Sequence, residues 1–204
     1  MYSTEDGAFL IRLARAAIEK HLHEGGPISL PEDAPDKLKK NAGVFVTLET
    51  FPEKGLRGCI GYPEPIFSLV DAACKAAVSA AVEDPRFPPL SEVELERTLV
   101  EVTVLTPPEL IKVTSPKEYA DNIEIGQDGL IVEKGLRRGL LLPQVSVDQG
   151  WNKEEFLSYT CMKAGLTEDC WLDKDTKIYK FSGIVFAEVE PRGKIKERTL
   201  TSTS

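Results

Sequence analysis

The spacing of apolar residues predicts three long helices. The first begins at a Ser3 or Thr4 cap, ends near His23 and buries one apolar stripe. That stripe consists of Leu10, Leu13, Ala14, Ala17 and Ile18. A second helix is predicted from about 65 to 83, where small apolar residues indicate close packing on most sides. The third follows Asn152 and Glu155, which have the spacing of a capping box, and ends at Gly165.

Alternation of apolar and polar residues predicts strands between these helices. Residues 43–49 and 56–61 flank a turn and should form a β-hairpin. Residues 99–105 alternate valine with polar residues, which predicts a central strand carrying Glu101. Residues 177–190 are expected to form one long strand with a bulge at Gly183. In the intervening segment, Asp128-Gly129 predicts a hairpin between the apolar runs 123–125 and 130–132, and a further turn at 135–139 leads into residues 140–142.

These elements predict an α+β fold in which an antiparallel β-sheet packs against helices. We expect a main lobe formed by residues 1–106 and 144–190, and a smaller inserted β-rich lobe at 107–143. The tail at 191–204 has little apolar surface to bury and is expected to be an appendage or disordered. A cleft between the two lobes would be the natural place for a ligand to bind.

Charge and hydropathy narrow the functional classes. The formal net charge of −8 disfavours unaided binding to a nucleic-acid backbone. The basic cluster of Lys134, Arg137 and Arg138 is either a local basic cleft or, more simply, the solvated decoration of a turn. No apolar run is long enough to span a bilayer, and acidic residues precede the first apolar cluster. We therefore predict a cytoplasmic protein that does not associate with membranes.

Cysteine spacing and glycine motifs predict neither a metal nor a cofactor. The four cysteines include no Cys-x-x-Cys pair, and no Walker-type or Rossmann glycine pattern is present. In a cytosolic chain the cysteines should be free thiols. A bridge between Cys161 and Cys170 is the alternative if the source is a hyperthermophile.

The hexapeptide at residues 56–61, Leu-Arg-Gly-Cys-Ile-Gly, is the leading candidate for a functional site. Side chains alternate along a strand, so Arg57 and Cys59 are expected on one face with Cα atoms about 7 Å apart. Gly58 and Gly61 would let a ligand or a second backbone approach the thiol. The helix predicted to begin near Pro65 would add free amides beside the thiol or beside a bound anion.

Other candidate residues each have an ordinary structural explanation as well. Glu101 would be either a catalytic carboxylate or a solvated residue on the outer face of a strand. His21 and His23 would be catalytic imidazoles, or favourable charges near the C-terminus of a helix. Arg86 would either anchor a substrate or form an ion pair with Asp84.

The hexapeptide gives the chain its resemblance to the AMMECR-one family, which covers roughly residues 4–190. Other matching stretches are Asp84-Pro85-Arg86-Phe87, the Leu105-Thr106-Pro107-Pro108 boundary, Arg138–Val145, and Gly150-Trp151 before Glu154-Glu155-Phe156. The resemblance implies a two-lobed fold with the hexapeptide facing the cleft, and we include Gln144 among the candidate substrate-binding residues. Family members are suspected enzymes, sometimes of RNA or other nucleic-acid modification. In prokaryotes they resemble partners of Memo-type and radical S-adenosylmethionine proteins.

Two hypotheses about function follow. In the first, the protein is an enzyme or enzyme component in which Cys59 is the nucleophile or redox thiol. Arg57 would then lower the thiol pKa or hold an anion, and the amides of Gly58 and Gly61 would receive negative charge. No base is near in sequence, so His21, His23 or Glu101 would have to arrive through folding.

In the second hypothesis the protein is a binding or adaptor module. The cleft would recognise a small molecule, a peptide, a nucleotide or nucleic acid, or a partner protein. Arg57 and Arg86 would be its anchors, and Cys59 would be a small packed residue with no chemical role.

Overall fold

A computed structural model describes residues 2–198 and divides the chain into two compact units. Within the described residues, the first unit comprises 2–105 and 184–198, and the second comprises 106–183. Each unit has its own hydrophobic core and its own β-sheet packed against helices. The α+β prediction, with antiparallel strands against helices, is therefore confirmed.

Helices are interspersed with groups of two or three strands along the chain. The helices are α1 (Thr4–Glu24), α2 (Leu69–Val82), α3 (Glu92–Leu95), α4 (Pro143–Asp148) and α5 (Lys153–Lys163). The strands are β1 (Val44–Thr50), β2 (Leu56–Tyr62), β3 (Thr98–Leu105), β4 (Glu109–Leu110), β5 (Gly129–Lys134), β6 (Arg137–Leu141), β7 (Lys177–Phe181), β8 (Gly183–Glu188) and β9 (Ile195–Arg198). Short 3₁₀ helices span Pro116–Asn122 and Cys170–Leu172. Among the described helices, none has the length and apolar character needed to cross a membrane.

The first unit is a five-stranded sheet with the order β2-β1-β3-β8-β9, against which α1 and α2 pack. β1 pairs antiparallel with both β2 and β3, so the predicted hairpin is present and β1 lies inside the sheet. Val44, Val46 and Leu48 alternate along β1 and are fully buried on the helix side. The intervening residues, including Thr47, therefore face the other side of the sheet.

Caps at the helix starts explain where the helices begin. The Ser3 hydroxyl accepts the N–H of Asp6, whose carboxylate accepts the N–H of Ser3 in return, so α1 has a full capping box. Asn152 and Glu155 form the capping box predicted for α5. α2 begins at Leu69 rather than near 65, because Ser68 provides its N-terminal cap.

The second unit is a four-stranded sheet with the order β4-β7-β5-β6, and its core differs from the predicted lobe. Residues 144–183, which the sequence analysis assigned to the main lobe, belong to this unit. The reason is that α5 buries Phe156 and Leu157 in the same core as Leu130 of β5 and Ile178 of β7. The predicted 107–143 segment is thus only part of the unit.

Two strand predictions in this half of the chain were wrong. The segment 177–190 is not one strand, because it divides after Phe181 into β7 and β8, which belong to different sheets. The hairpin predicted at Asp128-Gly129 is replaced by one at the further predicted turn, where β5 and β6 meet at Gly135. The Asp128 carboxylate instead accepts the N–H of Glu124, which closes a turn after residues 123–125 without making them a strand.

The segment after Pro191 is also more ordered than predicted. Ile195–Arg198 forms β9, which pairs antiparallel with β8 at the edge of the first sheet. Residues 199–204 of the predicted tail lie outside the described residues.

Candidate functional site

A row of three side chains crosses the first sheet on the face opposite the helices. Thr47 of β1 lies directly opposite Cys59 of β2 on one side and directly opposite Glu101 of β3 on the other. The Thr47 hydroxyl donates a hydrogen bond to the Cys59 sulfur, with 3.4 Å between Oγ1 and Sγ. The Cys59 thiol and the Glu101 carboxyl, which were predicted as separate candidates, therefore lie on the same face with Thr47 between them.

The outer edge of β2 holds Cys59 in position. Its N–H donates to Asp84 Oδ2 at 2.9 Å, and its carbonyl oxygen accepts from Arg86 Nη2 at 3.3 Å. Both main-chain groups of Cys59 thus point away from β1, which makes Cys59 and Thr47 a non-hydrogen-bonded pair, the closer of the two antiparallel types. The Cα atoms of Cys59 and Glu101 are then about 10 Å apart across two strand spacings.

Asp84 fastens this edge through a set of charged hydrogen bonds. Besides the Cys59 amide, its buried carboxylate accepts the main-chain N–H of Arg86 at 3.1 Å and its Nε at 2.9 Å. The bonds from the Arg86 guanidinium hold the pKa of Asp84 far below its usual range, against the effect of burial. The predicted pairing of Arg86 with Asp84 is present, and half of the Arg86 side chain remains exposed beside Cys59.

Arg57 does not share a face with Cys59, contrary to the prediction from strand alternation. The pairing register shifts between Leu48 and Glu49, so Leu48 opposes Gly58 whereas Glu49 opposes Leu56. Arg57 is the extra residue of this β-bulge, and bulges redirect side chains. Its guanidinium is buried and donates to the Glu94 carboxylate and to the Pro88 carbonyl oxygen.

The guanidinium of Arg57 lines a separate cavity of about 420 Å³. Arg97, Glu53 and the exposed Val93 line it as well. The Arg57 Nη1 atom is buried without a hydrogen-bond partner, and the guanidinium carbon lies 5.8 Å from the centre of the Phe87 ring. The Phe87 ring therefore supplies a cation–π contact for a guanidinium whose hydrogen bonds are incomplete.

Both glycines of the hexapeptide have a packing reason. A Cβ on Gly58 would lie 2.1 Å from the carbonyl oxygen of Ala80, so the second backbone that approaches here is that of α2. A Cβ on Gly61 would lie 2.4 Å from the ring of Phe45, its partner on β1. Because Gly58 contacts α2 two residues before its end, the N-terminal amides of α2 do not face the thiol as predicted.

Burial and nearby acids keep the Cys59 thiol protonated. Burial raises the pKa of Cys59, while the hydrogen bond from Thr47 and the charge of Arg86 lower it by less. The charges of Glu101 and Asp84 raise the pKa further. Arg57 is not among the groups that change the pKa of Cys59. The cation that favours the thiolate is therefore Arg86 and not, as expected, Arg57.

Glu101 has the more unusual carboxyl of the site. Burial raises the pKa of Glu101 to about 7; the charge of Arg198 lowers it, and that of Glu49 raises it. The side chain is only 16% exposed, and its Oε2 accepts a hydrogen bond from Arg198 Nη1 at 2.9 Å. A carboxyl that titrates near neutral pH can both accept and donate a proton under physiological conditions.

The histidines and Gln144 lie elsewhere. His21 lines an apolar cavity of about 460 Å³ on the helix side of the first unit, together with Tyr62 and the buried Cys74. Nδ1 of His23 lies 2.9 Å from Oε1 of Glu92. Gln144 is in the first turn of α4, in the second unit. No histidine therefore supplies the base that the enzyme hypothesis requires at Cys59.

The remaining cysteines and acids build neither a thiol pair nor a metal site at Cys59. Cys161 and Cys170 form a disulfide in the second unit, the alternative that the sequence analysis reserved for a hyperthermophile. Burial raises the pKa of Cys74 to about 12. Within residues 2–198, no group of three or more His, Cys, Asp or Glu side chains is arranged to hold a metal ion.

Sequence reasoning missed Thr47, Asp84 and Arg198 as parts of the site. Thr47 could have been found by pairing the predicted hairpin, since it lies opposite Cys59 once the register is set. The place of Arg198 beside Glu101, 97 residues away in the chain, had no local signal.

Comparison with known proteins gives consistent results over most of the chain. The AMMECR1 family model matches residues 11–186. Protein PH0010 of Pyrococcus horikoshii is 56% identical over 199 residues, which cover 96% of each chain. Protein MJ0810 of Methanocaldococcus jannaschii is 52% identical over 200 residues, or 98% of each chain. The crystal structure of the uncharacterized PH0010 superposes with a TM-score of 0.82 and covers 96% of this chain and 97% of that one.

Proposed function

The chain belongs to the AMMECR1 family, and from this premise we propose that it is an enzyme, or an enzyme component, that works at the Cys59–Thr47–Glu101 row. The observation that carries the proposal is the cross-strand register, which places the Cys59 thiol and the Glu101 carboxyl on either side of Thr47. Burial raises the pKa of that carboxyl to about 7. Perturbed titratable groups that share one surface are typical of catalytic sites. The proposal rests on the first unit alone.

Each residue has a distinct role in this proposal. Glu101 is the general acid–base group, because its carboxyl is close to half ionised at neutral pH. Cys59 is the nucleophile and is neutral at rest. As its sulfur bonds to an electrophilic carbon of the substrate, its proton passes by way of the substrate group over Thr47 to the carboxylate of Glu101. The exposed guanidinium of Arg86 holds an anionic part of the substrate beside the sulfur. The distance of about 10 Å between the Cα atoms of Cys59 and Glu101 fits a substrate group seated over Thr47.

The proposed reaction is a modification step, on RNA or on a smaller molecule, and the proposed location is the cytoplasm. The resemblance to suspected modification enzymes and the phosphate-binding chemistry of Arg86 support the substrate class. A disulfide such as Cys161–Cys170 is compatible with that location in hyperthermophiles, whose intracellular proteins are rich in disulfides.

The proposal can be tested by screening cell extracts for a substrate. The wild type is incubated with bulk RNA, and separately with a small-metabolite extract, from Pyrococcus horikoshii, and the products are followed by mass spectrometry. We expect a mass change that is lost in Cys59→Ser and slowed about 100-fold or more in Glu101→Gln. Glu32→Gln is the control, since it removes an exposed carboxylate of the same unit whose charge is not among those that act on Glu101, and it should leave the reaction unchanged. Product formation at the wild-type rate by both Cys59→Ser and Glu101→Gln would refute the proposal.

A binding module is the second candidate, favoured by the cavity at Arg57. That cavity offers two guanidinium groups, from Arg57 and Arg97, and the buried Nη1 of Arg57 has no partner. A binding module would retain an unchanged molecule from the same extracts. Retention would be lost in Arg57→Ala and would persist in Cys59→Ser and Glu101→Gln.

A further inference from the structure

The last described strand brings one cation to the candidate site. β9 pairs with β8, with Arg198 opposite Val185, and the Arg198 side chain crosses to β3. There its Nη1 lies 2.9 Å from Oε2 of Glu101. β9 is short, lies at the sheet edge and is largely exposed; its pairing with β8, its contacts with α1 and the packing of Ile195 against the core hold it in place.

The titratable groups around Glu101 come from three other strands of the sheet. Glu49 faces it from β1, Cys59 lies in its row on β2, and Arg198 reaches it from β9. Among the described residues, Arg198 is the one cation whose charge acts on Glu101. Burial and Glu49 favour the neutral acid, so Arg198 alone favours the carboxylate.

We propose that Arg198 is a positioning residue that sets the charge and the orientation of Glu101, so that the pairing of β9 with β8 prepares the site for proton transfer. This inference rests on the proposed function, which it deepens by making the C-terminal strand part of the site. With β9 in place, the charge of Arg198 favours the carboxylate form of Glu101 beside Thr47 and Cys59. When β9 is released, Glu101 loses the one cation in the described part of the chain that acts on it, and its equilibrium moves toward the neutral acid.

The direct test follows the titration of Glu101 without any substrate. Carbon-13 NMR of the labelled side-chain carboxyls, assigned with Glu101→Gln, gives the titration midpoint of Glu101 in each variant. In Arg198→Gln the midpoint should rise by about one pH unit, the lower end of the effect of a nearby opposite charge, because this pair is partly exposed. Arg198→Lys keeps the charge and should retain most of the wild-type midpoint.

Lys196→Gln is the matched control. Lys196 is two residues from Arg198 on β9 and lies on the same face of the strand. The substitution therefore removes the same charge from the same face. Its midpoint should equal that of the wild type. Equal midpoints in Arg198→Gln and Lys196→Gln would overturn the inference, as would an Arg198→Lys variant that behaves like Arg198→Gln.

Activity separates this inference from the proposed function. If the reaction is found, the acidic limb of its pH profile should move with the Glu101 midpoint in Arg198→Gln. A midpoint that moves while the pH profile does not would show that Arg198 sets the charge of Glu101 but that Glu101 is not the acid–base group. An unmoved midpoint would refute the role of Arg198 and leave the proposed function standing.

Discussion

Above mildly acidic pH, replacing Glu101 with glutamine should make the protein more stable relative to the wild type. The pKa of this carboxyl is raised from its ordinary value of 4.5 to about 7 in the folded protein, chiefly by burial. Between these two values the unfolded chain has released the proton while the folded protein retains it. The free energy of unfolding must therefore fall as the pH rises through this window.

The size of the effect follows from the same two values. A rise from 4.5 to about 7 corresponds to about 3 kcal/mol, reached once the pH exceeds the folded-state pKa. The side chain is only 16% exposed, so solvent screening reduces this figure little. Glu101→Gln removes the titration, so its stability relative to the wild type should be pH-independent below 4.5 and rise by about 3 kcal/mol by pH 8.

Urea unfolding at a series of pH values between 4 and 8.5 measures this difference. Both proteins should have the same dependence of unfolding free energy on urea concentration, so midpoints can be compared directly. Glu32→Gln provides the control, because it removes an exposed carboxylate of the same unit whose charge is not among those that act on Glu101. A constant difference between Glu101→Gln and the wild type across the whole range would refute the claim that Glu101 titrates near neutrality.

Two further predictions test the packing that supports the site. Gly58→Ala should destabilise the protein by about 1–3 kcal/mol in urea unfolding, because its Cβ would lie 2.1 Å from the backbone oxygen of Ala80. Gly55→Ala, whose Cβ meets only a side-chain hydroxyl at 3.2 Å, is its control and should cost much less. Arg15→Met should cost about 3–5 kcal/mol because it leaves the carboxylate of Glu188 buried without its cation. The double variant with Glu188→Leu should recover part of that loss, because it removes the unpaired carboxylate but also leaves the buried N–H of Val100 without its acceptor. Simple additivity of the two substitutions would contradict the argument.

Local patterns were sufficient for the elements whose stability is local. The stripe and the cap at Ser3 predicted α1, and the spacing of Asn152 and Glu155 predicted the start of α5. The hairpin of β1 and β2 followed from two alternating runs around a turn, and it carried Cys59 to the correct strand. Each of these signals involves residues close together in the chain, where side-chain period and capping groups act directly on the backbone.

The sequence by itself therefore determined the α+β class, the family and the strand that carries the thiol. Tertiary structure alone decided that a bulge turns Arg57 away from Cys59, that Glu101 lies one strand beyond Thr47, and that Arg198 reaches it from the chain end. It also decided that the segment 177–190 divides between two sheets. Strand register and sheet membership depend on hydrogen bonds between distant segments, and no residue pattern within one segment records its partner.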